Sequence, residues 1–120
     1  MNYSIPKDIF VKAAEEYGTP LWIYNRETIE ERVKETKVFD VVRYAQKACS
    51  NLSVLALMKR LGVVVDAVSA GEIVRALKAG YKGGIEKGKA PEIVYTADIF
   101  DADALELVKQ HKIPVNIGSP

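Results

Sequence analysis

The stretch VVRYAQKACSN, residues 41–51, decides how the fold of this chain is interpreted. Its first part is apolar and rich in β-branched and aromatic side chains, which favour a strand. Lys47 ends this run, and the Ser50 and Asn51 that follow are residue types that cap the start of a helix. The sequence therefore predicts a strand over 41–47, followed after a short turn by a helix.

The same succession of strand and helix recurs along the rest of the chain. Apolar residues at helical spacing follow the first strand as far as Gly62, a residue type that commonly ends helices. Further strands are predicted at 63–69, 92–98 and 113–119, with a helix to Gly80 after the second strand and a helix over 101–111 after the third. Ser69 with Glu72 predicts a capping box at the start of the second of these helices. Asp98 or Asp101 is expected to cap the third.

This alternation predicts an α/β fold. Strands joined through helices by short connections form parallel sheets with right-handed crossovers. Two architectures satisfy the pattern, an open doubly wound sheet and part of a (β/α)8 barrel. No G-x-G-x-x-G follows the first strand, which disfavours the dinucleotide-binding form of the doubly wound fold. A complete barrel needs about 250 residues, so if the fold is a barrel, residues 41–120 are expected to be the first half of one, truncated after strand four.

Residues 1–40 do not follow the repeat and are expected to form a separate lead-in. A helix is predicted over 6–17, ending at Gly18, because its apolar residues recur at helical spacing. The alternating residues 19–25 predict a strand, and the heavily charged residues 26–37 predict a second helix.

Composition excludes several classes of protein. The 17 basic and 16 acidic residues leave a net charge of only +1, which disfavours nucleic acid as a partner. The N-terminus lacks the features of a signal peptide, and no apolar run approaches the roughly 20 residues that span a bilayer, so we expect a cytoplasmic protein without a membrane partner. The single cysteine, Cys49, and the single histidine, His111, cannot form an intramolecular disulfide or a Cys/His zinc site, and no metal site is expected.

Lys47 is the main candidate for chemistry. Because side chains alternate along a strand, Arg43, Ala45 and Lys47 are expected to share the face that points into a barrel. Lys47 then lies at the carboxyl end of its strand, where barrel enzymes assemble their active sites. A lysine amine can attack a carbonyl to form a Schiff base, and the small Ala45 leaves room for a flat ring. From this feature alone, a solvated lysine at the end of a strand is the preferred interpretation.

The residues around Lys47 carry a resemblance to a known family. The run YAQKACSN at 44–51 resembles the pyridoxal-phosphate lysine motif of diaminopimelate decarboxylases, commonly Y-A-V-K-A-N. Residues 39–51 are particularly similar to the form in a bacterial subgroup. The stretches 18–24, 65–72 and 93–98 also agree with the family in order and spacing. The resemblance extends from about residue 17 to 120.

The resemblance implies a pyridoxal-phosphate barrel followed by a β-domain, acting as a homodimer on a small amino acid, with decarboxylation of meso-diaminopimelate to L-lysine as the reaction. It implies that Lys47 forms the Schiff base with pyridoxal 5'-phosphate, with Ala45 and Asp66 beside the cofactor. Asp66 would hold a charge or hydrogen bond near that imine, although an aspartate satisfied by a local turn is the simpler interpretation without the resemblance.

Other residues receive no chemical role. Ser69, Glu72 and Thr96 also match family positions, but capping explains the first two. Cys49 is expected to pack as a small buried group, and His111 to lie on the surface. The glycine-rich loop at 83–89 lies at the wrong end of a β-α unit for binding phosphate.

Two alternatives remain open at this stage. One is a related decarboxylase of ornithine or arginine, because the residues that select the substrate are expected beyond Pro120. The other is a pyridoxal-phosphate-binding protein without turnover. Because the residues that select the substrate are expected beyond Pro120, the 120 residues alone are expected to be inactive.

Overall fold

The computed structural model describes residues 5–118. The chain divides into two compact units between Val38 and Phe39, two residues before the boundary expected from the sequence.

The first unit contains two helices, α1 (Lys7–Tyr17) and α2 (Arg26–Glu35). α1 ends at Gly18, whose φ of 81° is a conformation that glycine adopts without strain. The Asn25 side chain caps α2 by accepting a hydrogen bond from the Thr28 N–H at 2.8 Å. The strand predicted at 19–25 is wrong, since residues 21–25 belong to no helix or strand. A strand needs a neighbour for its backbone groups, and the described part of this unit contains no other extended segment paired with it.

The second unit alternates strands and helices, as the sequence predicts. Its elements are β1 (Arg43–Ala45), a 3₁₀ turn (Gln46–Ala48), α3 (Leu52–Arg60), β2 (Val64–Ala67), α4 (Ala70–Lys78), β3 (Ile93–Tyr95) and α5 (Ala102–His111). The side chain of Asp101, not of Asp98, caps α5 by accepting from the Ala104 N–H at 2.7 Å.

The three strands form one parallel sheet in the order β1-β2-β3. Strands that follow each other in sequence are thus neighbours in the sheet, as in a barrel, whereas a doubly wound sheet reverses its strand order. The fourth predicted strand, 113–119, is reduced to a single parallel bridge between Tyr95 and Val115. Ser119 lies outside the described residues, so the end of that prediction is not tested.

The helices cover one face of the sheet. The alternate strand residues Val65, Ala67, Ile93 and Tyr95 are fully buried. They form a core with residues of the three helices and the loops after them: Leu55, Ile73, Ala76, Tyr81, Ala104, Val108 and Ile113. Complete burial of a valine or isoleucine side chain stabilises the folded state by about 1.5–3 kcal/mol. The predicted α/β fold is confirmed. Helices on one face of the sheet fit part of a barrel, because helices lie on both faces of a doubly wound sheet.

β1 is shorter than predicted. The sequence placed a strand over 41–47, but pairing with β2 ends at Ala45 and Asp66, and Lys47 lies in the 3₁₀ turn. The chain has to reverse here to reach α3, whose first turn is fixed by the Asn51 side chain accepting from the Ser53 N–H at 2.8 Å. The prediction that strand alternation directs Lys47 is therefore wrong.

A cluster of Lys59, Tyr81 and Glu92 lies near the amino ends of β2 and β3. Lys59 Nζ contacts a Glu92 carboxylate oxygen at 2.6 Å and lies 4.9 Å from the centre of the Tyr81 ring. The buried Tyr81 hydroxyl lies 3.2 Å from the Leu55 carbonyl oxygen and 3.0 Å from that of Val63. Burial and the nearby Glu92 charge raise the pKa of Tyr81, so it stays a neutral donor. The cluster ties α3 to the start of β3.

Gly83 allows the loop after α4 to approach the end of α5. A Cβ at this position would collide with the His111 carbonyl oxygen and lie 2.8 Å from the His111 Cβ. His111 is half-buried as a result of this packing, rather than fully on the surface as expected.

Because Glu92 forms an ion pair with Lys59, we expect the protein to lose part of its free energy of unfolding in acid. Burial alone would raise the pKa of Glu92, but hydrogen bonds from Lys59 and the Lys82 backbone N–H outweigh it and lower the pKa below its ordinary 4.5. A carboxyl whose pKa falls on folding stabilises the protein above its unfolded pKa and loses that contribution as the pH drops through the folded value.

We therefore expect Glu92→Gln to lower the free energy of unfolding by about 0.5 kcal/mol at pH 7, since the pair is partly exposed. Urea unfolding across pH 3–7 should show this difference shrinking below about pH 4.5. Glu86→Gln, which removes the exposed pair with Lys89, is the matched control. A Glu92→Gln deficit that is the same at pH 3 and pH 7 would contradict the assignment.

Candidate active site at the carboxyl ends of the strands

Ala45 and Asp66 are direct neighbours in the sheet. They are paired across β1 and β2, and Asp66 is paired in turn with Val94 of β3. Paired residues of parallel strands point to the same side, so these three share the face that the helices do not cover. All three are half-buried, whereas the sequence neighbours of Asp66 and Val94 on the other face are buried. Two of the predicted site residues therefore lie side by side at the carboxyl end of the sheet.

Lys47 lies two residues beyond Ala45, in the Gln46–Ala48 turn, and is exposed. Within residues 5–118 its amine makes no hydrogen bond or ion pair. The turn is closed by the Tyr44 hydroxyl, which donates to the Cys49 carbonyl oxygen at 3.0 Å. This hydrogen bond links the last part of β1 to the residue after the turn, so the turn, rather than the strand, sets the position of Lys47.

Asp66 carries a buried carboxylate oxygen, Oδ1, that has no hydrogen-bond partner among the described residues. The Asp66 carboxylate interacts electrostatically with Arg43, which lies two residues before Ala45 in β1. Arg43 donates to the Val65 carbonyl oxygen at 2.7 Å and to the Pro91 carbonyl oxygen at 3.0 Å, and so spans the sheet. Burial lowers the pKa of Arg43, and the charge of Asp66 acts in the opposite direction.

Ser69 and Glu72 fix the connection between β2 and α4. The Ser69 hydroxyl oxygen accepts from the Glu72 N–H at 3.3 Å, as a capping box requires. The Glu72 carboxylate accepts from the Val68 N–H at 2.8 Å, one residue before the position that the motif predicts. The predicted cap is confirmed, apart from this shift of one residue. It fixes the start of α4 shortly after Asp66 in the chain. This structural role agrees with leaving both residues out of the chemistry.

Gln46 is a site residue that the sequence interpretation missed. Its side chain is 1% exposed, and neither Nε2 nor Oε1 has a hydrogen-bond partner within residues 5–118. The available signal was a polar amide immediately before the candidate lysine, at the end of a mostly apolar run.

These features fit a carbonyl cofactor. Lys47 offers an accessible amine, Ala45 leaves space on the uncovered face, and Asp66 has an acceptor oxygen that nothing in the described chain occupies. A buried oxygen of this kind needs a donor, and a protonated ring or amine would supply one. Within the same residues no group of three or more His, Cys, Asp and Glu side chains is placed to hold a metal ion.

Comparison with known proteins identifies the family of this chain. Residues 26–120 match the pyridoxal binding domain of the pyridoxal-dependent decarboxylases. The chain belongs to this family. The diaminopimelate decarboxylase of Streptomyces coelicolor is 55% identical to it over 108 residues, which are 90% of this chain and 24% of the relative.

Solved structures of the family give the same result. A crystal structure of a diaminopimelate decarboxylase matches 93% of this chain and 26% of its own, with a TM-score of 0.84 and 46% identity. The Helicobacter pylori diaminopimelate decarboxylase, solved in complex with L-lysine, matches 92% of this chain and 28% of its own, with a TM-score of 0.73 and 30% identity. The resemblance stated from the sequence is thus confirmed.

The chain spans about a quarter of the length of the curated relatives it matches. Within residues 5–118 no helix is long and apolar enough to cross a membrane.

We expect the hydrogen bond from the Tyr44 hydroxyl to stabilise the turn locally. Tyr44→Phe keeps the ring but removes the donor to the Cys49 carbonyl oxygen. We expect the turn to open more easily by about 1 kcal/mol, the usual net contribution of such a hydrogen bond. Amide hydrogen exchange should accelerate at residues 46–50, with residues 104–108 of α5 as an internal control. Equal acceleration in both segments would indicate global destabilisation and contradict a local clamp.

Proposed function

We propose that this chain carries the cofactor-attaching lysine of a pyridoxal-phosphate-dependent diaminopimelate decarboxylase, with residues 41–120 as the first half of its barrel and residues 1–40 leading into it. The observation that carries this proposal is the lysine in its turn beside a paired alanine and aspartate, in a chain 55% identical to such an enzyme. The activity belongs to the complete protein, because the chain matches only a quarter of its relatives.

Each residue of the site has a distinct role in this proposal. Lys47 attaches pyridoxal phosphate covalently through Nζ, and Ala45 leaves the space that its flat ring requires. The Asp66 carboxylate accepts a hydrogen bond from a protonated group of the site, which keeps that proton in place. Arg43 supports Asp66 electrostatically and holds the strands in register. When bound, pyridoxal phosphate supplies an electron sink for the electron pair that stays on the substrate when its carboxylate leaves as carbon dioxide.

The substrate in this proposal is meso-diaminopimelate and the product is L-lysine. Relatives that are 55% and 50% identical to this chain bear the name of that enzyme, and the Helicobacter pylori diaminopimelate decarboxylase was solved in complex with L-lysine. A homodimer, as the family resemblance implies, is part of the same proposal. The groups that hold the phosphate and select the distal end of the substrate are expected in the part of the protein that these 120 residues do not include.

The assignment of Lys47 predicts where the cofactor becomes attached. The protein encoded by the complete reading frame is incubated with pyridoxal phosphate, reduced with borohydride and digested, and the labelled peptide is identified by mass spectrometry. We expect a single pyridoxyl adduct, on Lys47. Lys47→Ala should lose the adduct and reduce carbon dioxide release from diaminopimelate by at least about 10³-fold, because nothing replaces the nucleophilic amine.

Lys109→Ala, an exposed lysine on α5, is the matched control and should behave like the wild type. An adduct on another lysine, together with an active Lys47→Ala variant, would contradict the assignment. Ornithine and arginine are tested as substrates in parallel. Faster release from either of them than from diaminopimelate would keep the cofactor site but replace the proposed substrate.

A further inference from the structure

Gln46 and Glu72 are the buried residues of the described chain whose side chains carry an amide or a carboxylate, and Gln46 is the more deeply buried of the two. It is 1% exposed, compared with 8% for Glu72. Glu72 has its hydrogen bond from the Val68 N–H, whereas both polar atoms of the Gln46 amide lack a partner within residues 5–118. Two buried and unpaired polar atoms on one side chain are unusual, since the great majority of such groups are hydrogen-bonded.

This arrangement is unfavourable for folding alone. A buried donor or acceptor without a partner loses its hydration and gains nothing in return. An apolar side chain of the same shape would fill the space without that penalty. Its retention therefore points to a partner from outside the described residues, which joins the site in a later event.

The position of Gln46 suggests what that event is. Gln46 begins the 3₁₀ turn whose next residue is Lys47, and the turn contacts β2, which carries Asp66. Gln46 is the only buried residue of the turn, because Lys47 and Ala48 are exposed. Pairing between the strands has already ended at Ala45. The Tyr44–Cys49 hydrogen bond spans this turn, and the Gln46 amide is buried within it.

We propose that Gln46 is a positioning residue for Lys47, whose amide gains its hydrogen bonds when the cofactor is bound. An amide offers two donors and an acceptor, so it suits an uncharged partner such as an ordered water held between it and the loaded site. These bonds fix the turn in the form that directs Lys47 to the cofactor. The inference rests on the proposed function, since it requires that the cofactor binds at Lys47.

The test compares apoprotein and loaded protein in the Gln46→Met variant of the complete protein. Methionine has nearly the same length as glutamine but cannot make these hydrogen bonds. Three quantities are measured: the thermal midpoint of the apoprotein, the dissociation constant for pyridoxal phosphate, and the pH midpoint of the visible absorbance of the bound cofactor. Gln110→Met, on the exposed surface of α5, is the matched control.

We expect the Gln46→Met apoprotein to be as stable as the wild type or more stable, because an unpaired buried amide has been removed. Pyridoxal phosphate should bind about tenfold more weakly, and the pH midpoint of its absorbance should shift by about half a unit or more. Gln110→Met should change none of the three.

Three results overturn the inference. A Gln46→Met apoprotein that loses stability or does not fold would show that the partner of the amide belongs to the protein itself. Unchanged cofactor binding and absorbance would show that the amide has no role at Lys47. Wild-type protein that does not bind pyridoxal phosphate at Lys47 would overturn the proposed function as well. The first two results, by contrast, would leave the proposed function intact.

Discussion

The parallel pairing of β2 with its two neighbours is the constraint on which the rest of this structure depends. It fixes Ala45, Asp66 and Val94 at one level, and it places the alternate residues Val65 and Ile93 on the opposite face. Because burial of those alternate residues is what attaches the helices, a slip of one residue would exchange the two faces and expose the core. The same register therefore secures the fold and brings an alanine and an aspartate together at the carboxyl end of the sheet.

The two ends of the sheet are built for different purposes. Near the amino ends, Lys59, Tyr81 and Glu92 satisfy one another and nearby backbone carbonyls. At the carboxyl ends, the two polar atoms of the Gln46 amide and Oδ1 of Asp66 have no partner in the described chain, and Lys47 is exposed. Functional sites commonly retain such unfavourable features, and the well-packed remainder of the domain compensates for them. This contrast supports placing the candidate site at the carboxyl ends of the strands.

Much of this was predictable from the sequence. The order of strands and helices follows from hydrophobic periodicity, and the helix starts at Asn51, Ser69 and Asp101 follow from capping preferences. The lysine was singled out by its place after an apolar strand, and the family resemblance gave it a chemical identity.

Other features depend on contacts distant in sequence and were not predictable. The end of β1 at Ala45 is set by where pairing with β2 stops, and the turn is set by a hydrogen bond between Tyr44 and Cys49. Residues 21–25 alternate like a strand, but alternation supplies no pairing partner. The burial of Gln46 and the approach of Gly83 to His111 likewise appear only when the elements are packed together.

The most direct test of the central claim is a crystal structure of the complete protein with pyridoxal phosphate. The account predicts continuous electron density from Lys47 Nζ to the cofactor, with the Asp66 carboxylate facing it at the carboxyl ends of β1 and β2. Cofactor joined instead to a lysine near the amino ends of the strands, such as Lys59 or Lys82, would contradict it.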